Sequence, residues 1–240
     1  MKSNWLICSS DSSTKQVLYK MLFLESLIVT LAIVGAVVSG KSPELHFREE
    51  GFITYISCLQ LAIASVMSGQ IFIAIWKANN RQLARNSKFW LFSSLGLLFL
   101  AFDDAFEIHE KIDFWLHDLL NIQETMLTDL ADDLIVGGYI LLFLLYVLRQ
   151  WQTIKLFQPS FVFFKAGILL AAAMVILDIS GNNTLFVSLV FDDYDLAIAL
   201  KQWLGAIEDS AKIFAEGMIL VGLYRCRQIV KRQNSQNSNQ

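Results

Sequence analysis

The sequence predicts an all-α integral membrane protein, a single bundle of about six transmembrane helices with both termini in the cytoplasm. Three observations support this fold class. The chain is 55% hydrophobic and only 17% charged, with a mean hydropathy of +0.50, whereas soluble domains carry about 25% charged residues. Several apolar stretches approach the roughly 20 residues that cross a bilayer. Basic and acidic residues also alternate from one connection to the next.

The apolar stretches divide the chain into spans with little room for a soluble domain. Small residues in the later spans, such as Gly137, Gly138 and Gly205, allow helices to approach closely in lipid. We predict one transmembrane domain over residues 1–230 and a disordered polar tail at 231–240, whose low-complexity sequence cannot form a packed core. The predicted spans cover residues 17–39, 52–76, 89–107, 131–148, 161–179 and 196–223.

The charge pattern sets the predicted orientation, because short loops rich in Lys and Arg remain on the cytoplasmic side. The second and fourth connections and the segment after the last span are basic, whereas the first, third and fifth connections hold most of the acids. Six spans with both termini inside satisfy every basic loop. We therefore expect an integral protein of the plasma membrane (the inner membrane in a bacterium) or an equivalent internal membrane.

Acidic residues gather where the third span ends, in the sequence LFLAFDDAFEIHE at 98–110. On a continuous helix, Asp103, Glu107 and Glu110 share one stripe, whereas Asp104 and His109 point elsewhere. An ionised side chain facing lipid costs about 2.5–3.5 kcal/mol at the bilayer centre. We therefore expect the acids to face the interior of the bundle. The candidate catalytic residues are Asp103, Asp104, Glu107, His109 and Glu110.

The sixth span repeats the pattern in its sequence AIEDSAKIFAEG. Glu208, Lys212 and Glu216 are spaced by four and share one helix face, with Asp209 adjacent. Lys212 between two acids predicts an intramembrane ion pair of Glu208, Lys212 and Glu216. Such a pair would serve either helix packing or function.

The residue types favour a hard cation as ligand. Carboxylates with few imidazoles suit Ca²⁺, Mg²⁺ or Mn²⁺, whereas Zn²⁺ prefers His and Cys. The expected cofactor is therefore a divalent cation, one of Ca²⁺, Mg²⁺, Mn²⁺ or Zn²⁺. The candidate metal ligands are Asp103, Glu107, Glu110, Asp133, Asp178, Glu208 and Asp209.

Three functions remain open from the residues alone. In the first, the acidic site binds a divalent cation or polar ligand and acts as a metal-dependent hydrolase on a lipid or small substrate. In the second, the acids form an ion or proton path. In the third, the protein is a non-catalytic membrane partner. The expected partners are the bilayer and a lipid or small polar ligand, without nucleic acid. A transport path would continue inward through Glu25, Gln60, Gln70 and Glu216.

Two segments also carry a resemblance. FREEGFITYISCLQLAIA and AFDDAFEIHE resemble bacterial polytopic membrane proteins with an R-E-E-G entrance to one span and a D-D-x-x-x-x-H-E exit from the next. They are remotely similar to the CREST group of membrane hydrolases, which includes alkaline ceramidases. That similarity implies a zinc site in which Glu50 with Ser57, and Asp104 with His109, take the first two roles. Glu208, Lys212 and Glu216 stand where the group has its final histidines.

Overall fold

The computed structural model describes residues 12–47, 51–77, 87–120, 131–182 and 194–237 of the chain, and every regular element in these ranges is helical. The all-α prediction is thus confirmed for these ranges. Short 3-10 helices occupy Pro43–His46 and Lys155–Ser160. The α-helices are α1 (Ser12–Val38), α2 (Phe52–Lys77), α3 (Ser87–Phe106), α4 (Ile108–Leu120), α5 (Ala131–Arg149), α6 (Trp151–Ile154), α7 (Phe161–Asn182) and α8 (Tyr194–Asn237).

Helix α8 packs against α1, α2 and α7. Its hydrogen bonds with α2 join Glu216 to Ser57 near the start of α2, and Asn234 to Ala74 near the end of α2, so these two helices run parallel. Helices α1 and α7 run antiparallel to α8, and α3 runs antiparallel to α2. Consequently α1 and α3 end where α2 and α8 begin. We call this the acidic end of the bundle.

Close helix contacts depend on small residues and on polar groups between the helices. A side chain on Gly222 of α8 would place its Cβ 2.7 Å from the ring of Phe164 on α7, so these helices approach each other through the glycine. Between α2 and α3, the Ser65 hydroxyl donates to the carbonyl of Ser94 at 2.8 Å, and the Ser94 hydroxyl donates back to the Ser65 carbonyl at 2.8 Å. Both features are typical of helix packing in lipid.

By length and composition, four helical segments in the described ranges are able to cross a membrane: Ser12–Val38, Phe52–Lys77, Ser87–Phe106 and Lys155–Leu177. Large apolar side chains cover their outer surfaces, among them Phe23, Leu31, Tyr55, Val66 and Leu169. In water such a surface would be unfavourable, whereas in lipid it is the expected contact. The structure thus supports a polytopic membrane bundle with four such segments.

The third helix breaks at Glu107, whose backbone has a φ of 50°. This left-handed conformation costs a non-glycine residue roughly 1–2 kcal/mol. It separates α3, which ends at Phe106, from α4, which begins at Ile108. The helical-wheel prediction assumed that the helix continues through this point. The predicted stripe of Asp103, Glu107 and Glu110 is therefore interrupted.

The C-terminal segment also differs from its prediction. We expected residues 231–240 to form a disordered tail, but α8 continues to Asn237. The side-chain amide of Asn234 donates to the carbonyl oxygen of Ala74 at 3.1 Å, so the polar end of α8 contacts the end of α2. Residues 238–240 lie outside the described ranges.

Candidate functional site

Lys212 of α8 forms a salt bridge with Asp104 at the end of α3. The Lys212 side chain is 28% exposed and that of Asp104 is 15% exposed. The negative charges of Glu216 and Asp209 also act on the ammonium group. A largely buried ammonium needs such partners because removing a lone ion from water costs several kcal/mol. Lys212 is therefore the cation around which the acids of α3 and α8 gather.

Glu216 lies one turn further along α8, about 6 Å from Lys212 along the axis. Its Oε1 accepts a hydrogen bond of 2.7 Å from the Ser57 hydroxyl of α2. Glu216 is 7% exposed and Ser57 is 1% exposed. Within the described part of the chain, the second carboxyl oxygen of Glu216 has no hydrogen-bond partner. Glu216 thus connects α8 to α2 while keeping one acceptor unpaired.

Glu25 of α1 lies against the same part of α8. Gln60 of α2 donates from Nε2 to Oε1 of Glu25 at 3.2 Å, and Glu25 is only 1% exposed. Its carboxyl group fits against Gly217, where a Cβ would lie 1.7 Å from Oε1. The carboxyl groups of Glu25 and Glu216 are close enough to interact electrostatically. We call the connected set the buried network: Asp104, Lys212, Glu216, Ser57, Gln60 and Glu25.

A separate pair forms at the break between α3 and α4. Asp103 accepts a hydrogen bond of 3.0 Å from the backbone N–H of His109 at Oδ1, and the ring nitrogen Nδ1 of His109 lies 3.1 Å from Oδ2. Asp103 therefore caps the first turn of α4 with its side chain. Glu110 lies further from the ring, with Oε1 at 3.9 Å from His109 Nε2. Two predicted site residues thus hold a helix break together.

A cavity of about 180 Å³ opens beside this break. It lies between the beginning of α2 and the α3–α4 junction, at the acidic end of the bundle. Asp104 lines it together with Cys58, whose thiol donates to Asp104 Oδ2 at 3.5 Å. The cavity therefore leads from the surface to the first member of the buried network. Its lining residues are Thr54, Tyr55, Cys58, Asp104, Ala105, Phe106, Glu107 and Lys111.

A family model described as a domain of unknown function, DUF8692, matches residues 21–226 of the chain. This match includes every residue of the buried network and most of the 240-residue sequence. The chain belongs to the DUF8692 family. No curated protein and no solved structure matches it.

The predicted residues of this DUF8692 chain separate into two groups. Asp104, Glu107 and Lys212 lie at or beside the cavity, whereas Asp103 and His109 form the pair at the helix break. On a helical wheel Asp104 lies apart from the predicted acid stripe, and yet Asp104 is the residue that contacts Lys212. Asp104 lies on α3 and Lys212 on α8, so this salt bridge joins two helices. The sequence pattern predicted partners for Lys212 on its own helix, and of these Glu216 acts electrostatically on the ammonium group.

The divalent cation expected from the sequence remains a prediction. Within the ranges that the structure describes, no three His, Cys, Asp or Glu side chains converge as metal ligands. The Lys212 ammonium already provides a positive charge among the acids of α3 and α8. Glu208 and Asp209 are half-buried on the preceding turn of α8. The side chains of Asp133 and Asp178, and all of Glu50, lie outside the described part of the structure.

The sequence patterns did not predict a role for Gly217 of the DUF8692 chain. The signal for it is the sequence AEG at 215–217, because a glycine beside a buried acid in a span permits close approach of another group. Glu25 and Gln60 were named only as candidates for a transport path, without a partner for either.

Proposed function

We propose that this protein is an ion- or proton-coupled membrane transporter and that the buried network is its coupling site. The observation that carries the proposal is the continuity of the network. The Asp104–Lys212 salt bridge, the Ser57–Glu216 hydrogen bond and the Gln60–Glu25 hydrogen bond lie next to one another within about one turn of α2. Ionisable groups inside membrane helices mark ion pathways and proton relays.

Charge balance explains why such a network would bind a mobile ion. It contains the carboxyl groups of Asp104, Glu216 and Glu25 and one ammonium group, that of Lys212. With every group ionised, three negative charges would face one positive charge in a largely dehydrated place. An uncompensated buried charge is costly. Protons or monovalent cations would balance the surplus, and their uptake and release is what couples a transporter to an ion gradient.

The cavity gives the network an access route. In the topology that the basic loops favour, with six spans and both termini in the cytoplasm, the acidic end faces the outside of the cell. The cavity beside Asp104 and Glu107 would then be the outer entrance. Glu25 and Glu216 would be reached next, deeper in the bundle. This order is the one expected of a path that begins with exposed acids and continues through buried ones.

The same geometry favours transport over metal-dependent hydrolysis. A hydrolytic metal needs several protein ligands around one point and an open position for water. Here Asp104 binds Lys212, and Asp103 binds His109 across the helix break. These two neighbouring acids thus bind different side chains, Asp104 on another helix and Asp103 at the helix break.

Reconstitution tests the proposal directly. The purified protein would be placed in liposomes containing a pH-sensitive dye or a sodium-sensitive dye, and flux would be measured under an imposed gradient. We expect flux above that of empty liposomes, reduced about tenfold or more in Glu216→Gln because the change removes an ionisable group from the path. Asp118→Asn makes the same chemical change at an exposed position of α4 and is expected to leave flux unchanged.

Two results would contradict the proposal. One is flux of H⁺ and Na⁺ no greater than in empty liposomes, provided that the reconstituted protein is folded. The other is equal flux in Glu216→Gln and in the unaltered protein, since the buried carboxyl group would then have no part in it.

A further inference from the structure

We infer that Glu25, Gln60 and Glu216 form a binding site for one dehydrated Na⁺ ion between α1, α2 and α8. The inference rests on the proposed function, because it names the coupling ion for the same network. It goes further in assigning the ion to particular oxygen atoms. Three observations support it: unpaired buried oxygens, the close contact of the three residues that carry them, and their chemistry.

The first observation is a set of three buried acceptors without donors. Within the described part of the chain, Glu25 Oε2, Gln60 Oε1 and Glu216 Oε2 have no hydrogen-bond partner. The three residues are 1%, 5% and 7% exposed. Buried polar atoms in native proteins are almost always paired, so each such atom needs an explanation. Three of them in one place indicate a ligand.

The second observation is that the three groups meet. Gln60 binds Glu25 at 3.2 Å, and Ser57, three residues earlier on the same face of α2, binds Glu216 at 2.7 Å. Glu25 in turn occupies the space left by Gly217, the residue next to Glu216. A carboxyl group of α1, an amide of α2 and a carboxyl group of α8 are therefore neighbours. The glycine allows the Glu25 carboxyl group to come this close to α8.

The third observation is the chemistry of the ligands. Carboxylate and amide oxygens suit hard cations, and a divalent ion such as Ca²⁺ takes six to eight of them. Two carboxyl groups and one amide, with Lys212 already acting on Glu216, suit a monovalent ion better. A proton on one carboxyl oxygen turns that oxygen into a donor, so it pairs at most two of the three oxygens and leaves the third unpaired. One Na⁺ contacts all three and balances one surplus charge of the network, and a proton on either carboxyl group balances the other.

Thermal unfolding in detergent tests the site without a transport assay. NaCl would replace choline chloride at constant ionic strength, and KCl would serve as a second comparison. We expect 300 mM Na⁺ to raise the Tm of the unaltered protein by about 5 °C or more, as binding to the folded state alone predicts. K⁺ is expected to raise it less, and choline is the baseline. This series requires no variant.

Two glutamines of α2 provide a matched pair of variants. Gln60→Leu removes one ligand oxygen and is expected to abolish the Na⁺-dependent shift. Gln70→Leu makes the same change at an exposed position of α2 and is expected to retain the shift. If Gln60→Leu does not fold, Glu25→Gln replaces it, because that change lowers the charge of the site while keeping its shape.

The outcomes separate this inference from the proposed function. A Na⁺-specific shift that is lost in Gln60→Leu supports the site. The same Tm in Na⁺, K⁺ and choline overturns it, and if proton flux in liposomes is still lost in Glu216→Gln, the transport proposal stands with H⁺ as its ion. A Na⁺-specific shift in a protein without any flux supports the site and overturns transport.

Discussion

The carboxyl group of Glu25 on α1 occupies the space where residue 217 of α8 would carry a side chain. A Cβ on Gly217 would lie 1.7 Å from Oε1 and 2.6 Å from Cδ of Glu25. The acid is 1% exposed, so its position is enclosed on the other sides as well. The packing of α1 against α8 and the position of the buried carboxyl group therefore depend on each other. The glycine admits the carboxyl group, and the carboxyl group fixes where α1 meets α8.

Gly217→Ala is expected to destabilise the protein. Forcing a methyl group into a filled interior costs about 1–3 kcal/mol, whereas replacing glycine by alanine within a helix gains at most about 1 kcal/mol. Because the added atom would overlap Glu25, the unfavourable effect should prevail. Thermal unfolding in detergent would show a lower Tm.

Two further variants test whether Glu25 is the cause of that loss. Gly96→Ala makes the same change in α3, where nothing lies within 4 Å of the added atom, and is expected to be neutral or stabilising. In a Glu25→Ala background, Gly217→Ala should lose its cost, because the overlapping carboxyl group is gone. An unchanged cost in that background would contradict the explanation.

Lys212→Met is expected to destabilise the bundle more than the loss of an exposed lysine does. Removing one partner of a buried ion pair costs about 3–5 kcal/mol, because the other charge stays buried without its partner. The Lys212 side chain is 28% exposed, so we expect a loss of stability near the lower end of this range. Lys201→Met at an exposed position of the same helix is the control. Both are measured as Tm in detergent.

The double variant Asp104→Asn/Lys212→Met identifies the partner. With the opposing charge removed, part of the lost stability should return, so the cost of the two changes together should be smaller than the sum of the single costs. Simple additivity would show that Asp104 and Lys212 do not stabilise each other.

Hydrophobic length and the distribution of charges made much of this fold predictable. A run of apolar residues long enough for the bilayer identifies a helix, because backbone groups in lipid must be paired within the segment. The break at Glu107 was not predictable in this way. The sequence AFEIH at 105–109 contains no glycine or proline, so nothing in it indicates a left-handed residue. Because the helix breaks there, the acidic side chains after Phe106 do not point where a continuous helix would place them.

The pairing within the site was harder to predict than its composition. A helical wheel shows which residues share a face of one helix, but not which other helix that face meets. Helix α2 runs parallel to α8, and that arrangement brings Ser57 and Gln60 beside Glu216. It depends on the packing of the whole bundle. The sequence therefore indicated that Glu25 and Gln60 matter for a path, but not that they bind each other.

Asp103 is expected to act mainly as a helix cap. Asp103→Ala removes both of its contacts with His109 and should destabilise the protein by about 0.5–2 kcal/mol, the usual cost of losing an N-terminal cap. Asp103→Asn keeps an acceptor for the backbone N–H of His109 and should cost less. Tm measurements on the two variants compare them. Equal losses would show that the charge facing the His109 ring, and not the backbone cap, is what stabilises the junction.

Cys58 provides a test of the cavity as an open entrance. Its thiol lines the cavity, whereas Cys226 is 0% exposed. A cationic methanethiosulfonate reagent should therefore modify Cys58 and leave Cys226 unmodified in the folded protein, as intact-mass and peptide mass spectrometry would show. Cys8, which lies outside the described residues, is replaced by serine in this experiment.

The charge of the reagent adds a second readout. Asp104 and Glu107 line the same cavity, so a cationic reagent should react faster than an anionic one of equal size. About fivefold is expected, since a unit charge about 8 Å from a carboxylate gains or loses roughly 0.5 kcal/mol in water, so that unlike and like charges differ by about 1 kcal/mol. Glu107→Gln should reduce this ratio. Modification of Cys226 at the same rate as Cys58, or no preference for the cationic reagent, would show that the cavity is not an acidic opening to solvent.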